Sequence, residues 1–564
     1  MVVKSIYYQI FRRMRFPLLL LLSAYAIAIF GMTLIPGVDD QGNVWYMSFF
    51  HATYYVSFMA TTIGFGEIPY AFSDAQRMWG IVSIYLTVIS WFYAIGAIIN
   101  IMQDAAFRRA LVELKFRRQV HHLGEPFYIV CGFGDTGTAL VRALTDRGIY
   151  AVVLDKQVEA INRLNLKDYQ LDVPALYGDV TMPETLKLAG LQLERCQGVV
   201  AMTDNDAVNL KVAITSKLLS PNLPVICRGE RPDYEENMAS FGTDHIIDPY
   251  LTFSSRLGLA LDKPGAYTLY NWLAAISRAP LPDPIFPPKG KWVLCGYGRF
   301  GQAMHARLTS QGITVVTVEV DPEGTNSPPG SIQGWGTDHD TLHKAGIETA
   351  VGLVAGTEND TNNLSIVMTA LEMNPDLFVV IRENRRVNGE LFKKVGADLV
   401  MQSSAILARE VRLLLTLPLV KDFLREVEKM DNDWSNQTVS RVAGIAGETV
   451  PDIWDMEICT EQTPAISNQL EHGQMITLSH LLYEPTKREE PLALLPLFIR
   501  RTDGSCMVTP PPACPLFDGD KVLFCGAYGV KERLAWSINN DLLLKYIITG
   551  KDQSQGWLFR RFQA

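Results

Sequence analysis

Two runs of the chain carry no charge at all. The first, Pro17 to Pro36, holds five leucines in succession, and the second extends from Met78 to Met102. Each has the ~20 residues that a helix needs to cross the hydrocarbon core of a bilayer. Past residue 125 the pattern changes. Short apolar runs such as Phe127–Cys131, Ala151–Leu154, Trp292–Cys295 and Thr314–Val318 alternate with helix-like stretches, and each run ends at a glycine turn or at an acid. That alternation predicts parallel strands joined by crossover helices. The expected fold class is therefore an α-helical two-span membrane part followed by cytoplasmic α/β domains.

Charge orients the two spans. Lys4, Arg12, Arg13 and Arg15 precede the first with no acid among them, and Arg108, Arg109, Lys115, Arg117 and Arg118 follow the second. Both termini are expected on the cytoplasmic side of the cell (inner) membrane, with Asp39 and Asp40 outside. The first run is too long for a signal peptide, and no small-residue cleavage site follows it. Between the spans, Trp45 to Ala60 is aromatic and apolar but too weak for a third crossing. It fits a re-entrant half-helix, which a membrane tolerates where it is buried in protein or lines water.

That half-helix runs into Thr61-Thr62-Ile63-Gly64-Phe65-Gly66-Glu67. Glycines at alternate positions suit a backbone whose carbonyls must line up in a column, because every second residue then needs dihedrals that a Cβ resists. The stretch resembles the potassium-channel signature, usually Thr-Val-Gly-Tyr-Gly-Asp. The resemblance implies a selectivity filter of Thr62, Ile63, Gly64, Phe65 and Gly66, with K+ as the permeant ion and four identical chains around one pore. Several positions depart from the usual pattern. Phe65 lacks the tyrosine hydroxyl, Tyr54 and Tyr55 stand where many relatives have tryptophans, and Phe58 stands where some have an acid. Leu86 is near the usual hinge glycine, so Gly96 is the candidate gate hinge, with close helix packing as its other reading.

The α/β part repeats itself. Gly132-Phe133-Gly134-Asp135-Thr136-Gly137 follows the first strand, and Gly296-Tyr297-Gly298-Arg299-Phe300-Gly301 follows its counterpart 164 residues later. Ala201–Asp206 answers Ala355–Asp360, and Val225–Arg228 answers Val379–Arg382, both at an offset of 154. Two such turns, each inside a strand–helix–strand unit, predict paired Rossmann-like domains. A pore followed by two such domains resembles the prokaryotic ligand-gated potassium channels with tandem RCK (regulator of potassium conductance) domains, over nearly the whole chain. The resemblance implies a homotetramer with eight RCK domains in a gating ring. Leu516–Leu523, with Gly519-Asp520, resembles a strand of the small α+β lobe that ends RCK subunits.

The expected division is a pore over 1–102, a linker to the ring over 103–125, the first RCK domain over 126–250 and a crossover helix with a proline-rich linker over 251–288. The second RCK domain follows over 289–430 and the C-terminal lobe over 431–564. The net charge of −9 argues against nucleic-acid binding. The eight cysteines are scattered, with no CxxC spacing, as expected of free thiols in a reducing compartment.

Each glycine turn would seat phosphates on a helix N-terminus. Asp155 would take a ribose and repel a 2′-phosphate, favouring NAD or ADP over NADP. Arg299 would pair a phosphate, and Glu319 or Asp321 would be the second ribose partner. Asp179 and Thr203 end later strands at the first crevice, with Asp338 and Thr357 as their candidates in the second. Some RCK channels bind Ca2+ through acids of these segments. Asp206 and Glu230 match two of those positions, while Arg228 occupies a third, where a cation cannot ligate. The competing readings are a potassium-uptake transporter subunit, which would need four filter repeats in one chain, and a membrane-anchored NAD-dependent oxidoreductase, for which no catalytic constellation is visible. The expectation is a channel rather than an enzyme.

Overall fold

The computed structural model describes residues 2–485 and 487–550; residues 551–564, which the expected C-terminal lobe includes, lie outside the described residues. The chain divides into two units, 1–124 with 188–190, and 125–187 with 191–564.

In the first unit, Phe11–Leu34 and Asp74–Gln103 are long and apolar enough to cross a membrane. The second of these helices starts at a capping box, in which Ser73 and Gln76 satisfy each other's backbone amides. Gln76 Nε2 also donates to Ile35 O at 3.3 Å, and Ser73 Oγ to Pro36 O at 3.0 Å, so the chain segments at one end of the two helices are tied together. Trp79 Nε1 donates to Ala28 O at 3.1 Å and Trp91 Nε1 to the Tyr25 hydroxyl at 3.1 Å. The buried face of the second helix carries Gly80, Ser83, Thr87 and Ser90, small residues that let helices approach closely. A shorter helix, Phe49–Ala60, lies between the two in sequence and buries Ala52, Val56 and Met59. Asp104 ends Asp74–Gln103, caps the next helix, Ala105–His122, through the Phe107 amide, and pairs with Arg13.

The second unit contains two six-stranded parallel sheets. In space the first runs Ala175–Tyr177, Tyr150–Asp155, Phe127–Cys131, Cys196–Ala201, Val225–Arg228, His245–Ile247. The second repeats this order with Ile332–Gln333, Thr314–Glu319, Lys291–Cys295, Gly352–Ala355, Phe378–Glu383 and Leu399–Gln402. Strand order reverses beside the strand that feeds each glycine turn, which is where doubly wound sheets open a crevice. Gly352–Ala355 is buried throughout and Cys196–Ala201 at every position but Gln197, as helices on both faces require.

Helices are exchanged between the two sheets. The helix after the first sheet, Pro249–Asp262, places Tyr250, Phe253, Leu257 and Leu261 in the core of the second domain, beside Trp292, Phe300 and Met304. The helix after the second sheet, Ser403–Thr416, places Leu407 and Val411 in the core of the first, beside Leu140, Val141 and Leu144. The two domains are thus one folding body. The proline-rich segment is more than a spacer: Arg278 and Leu281 amides donate to Val450 and Glu448 carbonyls, and the Val450 amide returns a bond to Ala279.

The remaining lobe is an antiparallel sheet in the order Asp452–Glu457, Lys521–Gly526, Leu494–Arg500, Cys506–Val508. Its Gly519-Asp520 turn has a clear role. Asp520 is 1% exposed, accepts the Phe517 amide at 2.7 Å and pairs with Arg501.

Candidate functional site

The glycine-rich strip follows directly from the C-terminus of Phe49–Ala60. The Thr62, Ile63 and Gly64 amides donate back to Met59 and Phe58 carbonyls, so the helix end anchors the strip. Positive φ then recurs at alternate residues, with Thr62 at +63°, Gly64 at +70° and Gly66 at +99°. A Cβ on either glycine would meet nothing within 4 Å, so glycine is needed there for its dihedrals rather than for space. Thr62 holds the same conformation with a β-branched side chain, which stores strain. Behind the strip the packing is aromatic. The Phe58 ring meets Phe65 edge-on at 5.5 Å and Tyr54 and Tyr55 at 5.4 Å. Beyond Gly66, Glu67 accepts two bonds from the Arg77 guanidinium and one from the Phe72 amide, which hold its carboxyl below the usual carboxylate range. Gly96 lies in the unbroken helix Asp74–Gln103, and no atom lies within 4 Å of a Cβ built there, so packing within the chain does not explain it.

In the second unit each glycine turn opens a crevice. The first encloses about 420 Å³ and brings together Gly132, Gly134, Asp135, Thr136, Asp155, Asp179 and Thr203. Asp155 accepts the Phe133 amide at 2.6 Å and the Gln157 amide at 2.7 Å, so its carboxylate fixes the glycine turn while lining the crevice. Gly137 serves packing, because a Cβ there would lie 2.1 Å from the Gly132 carbonyl oxygen. Phe133 is fully buried, so its side chain belongs to the core and only its backbone lies at the turn. Thr203 is held by Asn209, which is buried and also bonds the Arg228 carbonyl.

The second domain closes this first crevice. Arg382, Glu383, Asn384, Gln402, Ser403 and Ser404 line it, together with Lys156 and Arg228 of the first domain. Three cationic side chains thus line the crevice with the first glycine turn. Burial pushes the Glu383 carboxyl up, against a bond from Gln402. None of these second-domain residues was among the sequence candidates. The match of Arg228 with Arg382 was visible as a repeat, but only the exchanged helices turn both towards one crevice.

The second crevice encloses about 370 Å³ around Gly296, Gly298, Glu319 and Thr357. Its backbone network copies the first: Glu319 accepts the Tyr297 amide, and Thr357 is held by Asn363, which bonds the Arg382 carbonyl. Gly301 again packs against the Gly296 carbonyl, and Phe300 is fully buried.

Several expectations are corrected here. Arg299 does not face a phosphate position; it pairs with Glu230 of the first domain and lies 5.5 Å from the Tyr250 ring centroid. Asp321 folds back on the Gly324 amide at 3.0 Å and does not line the crevice, leaving Glu319 as the acid there. Asp338 is not the counterpart of Asp179. The Gly178 amide bonds Asp155 O and the Gly334 amide bonds Glu319 O, which places Trp335 at the position of Asp179. Asp206 and Glu230 do not form a calcium site. Asp206 accepts the Glu230 and Arg231 amides, while Glu230 is neutralised by Arg228 and Arg299. Among the described residues, no three His, Cys, Asp or Glu side chains converge as metal ligands.

The TrkA-N domain model matches residues 128–249 and 292–403, the two stretches that build the crevices. Potassium channel protein 1 of Methanocaldococcus jannaschii is 26% identical over 204 residues, 36% of this chain and 59% of that protein's length. Probable potassium channel protein 2 of the same organism is 23% identical over 261 residues, 46% of this chain and 70% of its own. The Trk system potassium uptake protein TrkA of Streptomyces coelicolor is 27% identical over 200 residues, 33% of this chain and 90% of its own. A solved structure named GsuK Channel covers 95% of this chain and 100% of its own at 15% identity, with a TM-score of 0.49. The chain resembles tandem-RCK potassium channels. It spans 59% of the length of the first relative, so that relative's activity does not transfer by likeness alone.

Proposed function

We propose that this chain is the subunit of a homotetrameric, potassium-selective channel gated by cytosolic nucleotides. The observation that carries the reading is the alternation of positive φ at Thr62, Gly64 and Gly66, in a strip between two apolar helices. In four chains around an axis, that alternation would turn successive carbonyls toward one column and replace a cation's hydration shell. The pore occupies 1–102 in a two-span topology with both termini cytoplasmic, Phe49–Ala60 is its re-entrant helix, and Gly96 is the bending point of the inner helix. Residues 103–125 link it to RCK domains over 126–250 and 289–430, joined by the crossover segment 251–288 and completed by the lobe over 431–564.

The first crevice is the nucleotide site. The helix N-terminus at Gly134, with Lys156, Arg228 and Arg382, suits a diphosphate, and Asp155 suits a ribose of the NAD or ADP type. Because both domains line it, ligand would favour one arrangement of the pair, and that difference in affinity is sufficient to bias the pore. Regulation by Ca2+ is left out of the reading, since Asp206 and Glu230 are already engaged.

The test is a planar bilayer holding purified protein between unequal KCl and NaCl. A reversal potential near that of potassium, with open probability shifted by NAD+ or ADP on the cytoplasmic side, supports the reading. Potassium current indifferent to both nucleotides removes the regulatory half. The absence of potassium-selective current under every condition removes the channel and favours the transporter subunit.

A further inference from the structure

The two crevices share a backbone plan and differ in their cations. Three cations, Lys156, Arg228 and Arg382, line the first among five acids, Asp135, Asp155, Asp179, Asp204 and Glu383. No Lys, Arg or His lines the second, which has two acids, Glu319 and Glu358. The difference follows from the exchanged helices. Arg382 belongs to the second sheet, yet its Nη2 donates to the Tyr250 hydroxyl at 3.0 Å, and it lines the first crevice. Arg299, the cation within the second glycine turn, is drawn to Glu230, whose side chain is 5% exposed. The second turn therefore keeps its helix N-terminus but has no cation to offset a phosphate charge beside two carboxylates.

What the second crevice has instead is a flat aromatic. Trp335 occupies the position of Asp179 at the end of a strand and remains 53% exposed at the crevice. A large ring left in water beside a preformed cleft offers a stacking platform. Glu319, whose Oε1 and Oε2 are oriented by the Val320 and Tyr297 amides, presents a carboxylate where a Rossmann fold meets a ribose diol. Thr325 and Thr337 add hydroxyls. The volume of about 370 Å³ is at the small end of the ~300–1,000 Å³ range of ligand pockets.

We propose that the second crevice binds an uncharged purine nucleoside, its base stacked on Trp335 and its ribose on Glu319, and that it rejects nucleoside di- and triphosphates. The two crevices then read different members of one metabolite class: the first the phosphorylated form, the second the dephosphorylated form. Ligand binding at the second crevice does not require ion conduction, so the proposal can fail or stand apart from the channel reading.

The test uses the full chain in detergent micelles, with adenosine and ADP titrated calorimetrically into the parent protein and into W335A, W335F and D155N. Adenosine is expected to bind at one per chain. W335A should weaken it about tenfold or more, the contribution of stacking one base, while W335F keeps most of the affinity by keeping a ring. ADP should lose affinity in D155N and change less than twofold in W335A. The proposal is overturned if adenosine fails to bind, if W335A leaves adenosine unchanged, or if W335A weakens ADP as much as adenosine. W335F guards against misfolding: a loss equal in W335A and W335F also counts against stacking.

Discussion

Gly66→Ala is the sharpest probe of the proposed filter. Gly66 sits at φ +99°, outside the regions an L-residue occupies comfortably, and no atom within 4 Å would contact an added Cβ. The substitution therefore adds backbone strain and no steric clash within the chain. Holding an L-residue in the left-handed region costs roughly 1–2 kcal/mol. The proposed homotetramer would carry four copies around one column, so its conducting shape would be disfavoured by about 4–8 kcal/mol in total, where 1.4 kcal/mol is a factor of about ten. The variant should assemble and insert normally, because the cost falls on a strip outside the helices, held between the end of Phe49–Ala60 and the Glu67–Arg77 pair. Single-channel recording should show potassium current lost, or potassium no longer preferred over sodium. Gel filtration should show an unchanged assembly. A G66A channel with parental conductance and selectivity would refute the argument that alternate positive φ aligns the carbonyls.

Other predictions concern the second unit. Asp155→Asn keeps an acceptor for the Phe133 amide but removes the charge, so ADP affinity should fall about 10- to 150-fold in calorimetry, the ~1.5–3 kcal/mol range of charged hydrogen bonds. Glu230→Gln leaves Arg228 and Arg299 facing each other unpaired. It should cost about 1–3 kcal/mol in urea unfolding, less than a fully buried pair because Arg299 is 46% exposed, and adding R299Q should recover part of the loss. Asp248 caps Pro249–Asp262 by accepting the Tyr250 and Leu251 amides, and burial raises its carboxyl to about 7. Its native state holds a proton that the unfolded chain releases near pH 4, so stability should fall as pH rises from about 4 to about 7 and level off above. D248N retains a capping oxygen, and its stability should lack that slope.

The sequence by itself determined the local devices. Uncharged runs of membrane length, alternate glycines after a half-helix, and two glycine turns each closed by an acid are properties of neighbouring residues, set by solvation and by φ. That is why the strip from Thr62 to Gly66, and Asp155 and Glu319 beside their turns, could be read directly. Tertiary structure decided what lies opposite them. Tyr250 and Ser404 begin matching helices, yet each helix packs on the other domain, because the apolar face it carries completes a core that the other sheet leaves open. The exchange brings Arg382 to the first crevice and draws Arg299 to Glu230, and it leaves the second crevice aromatic and without a cation. Sequence spacing makes the two crevices near copies. The long-range packing of two helices leaves cations in one and none in the other, because the groups at a site depend on which side chains converge in space, and convergence between distant segments leaves no periodic trace in the chain.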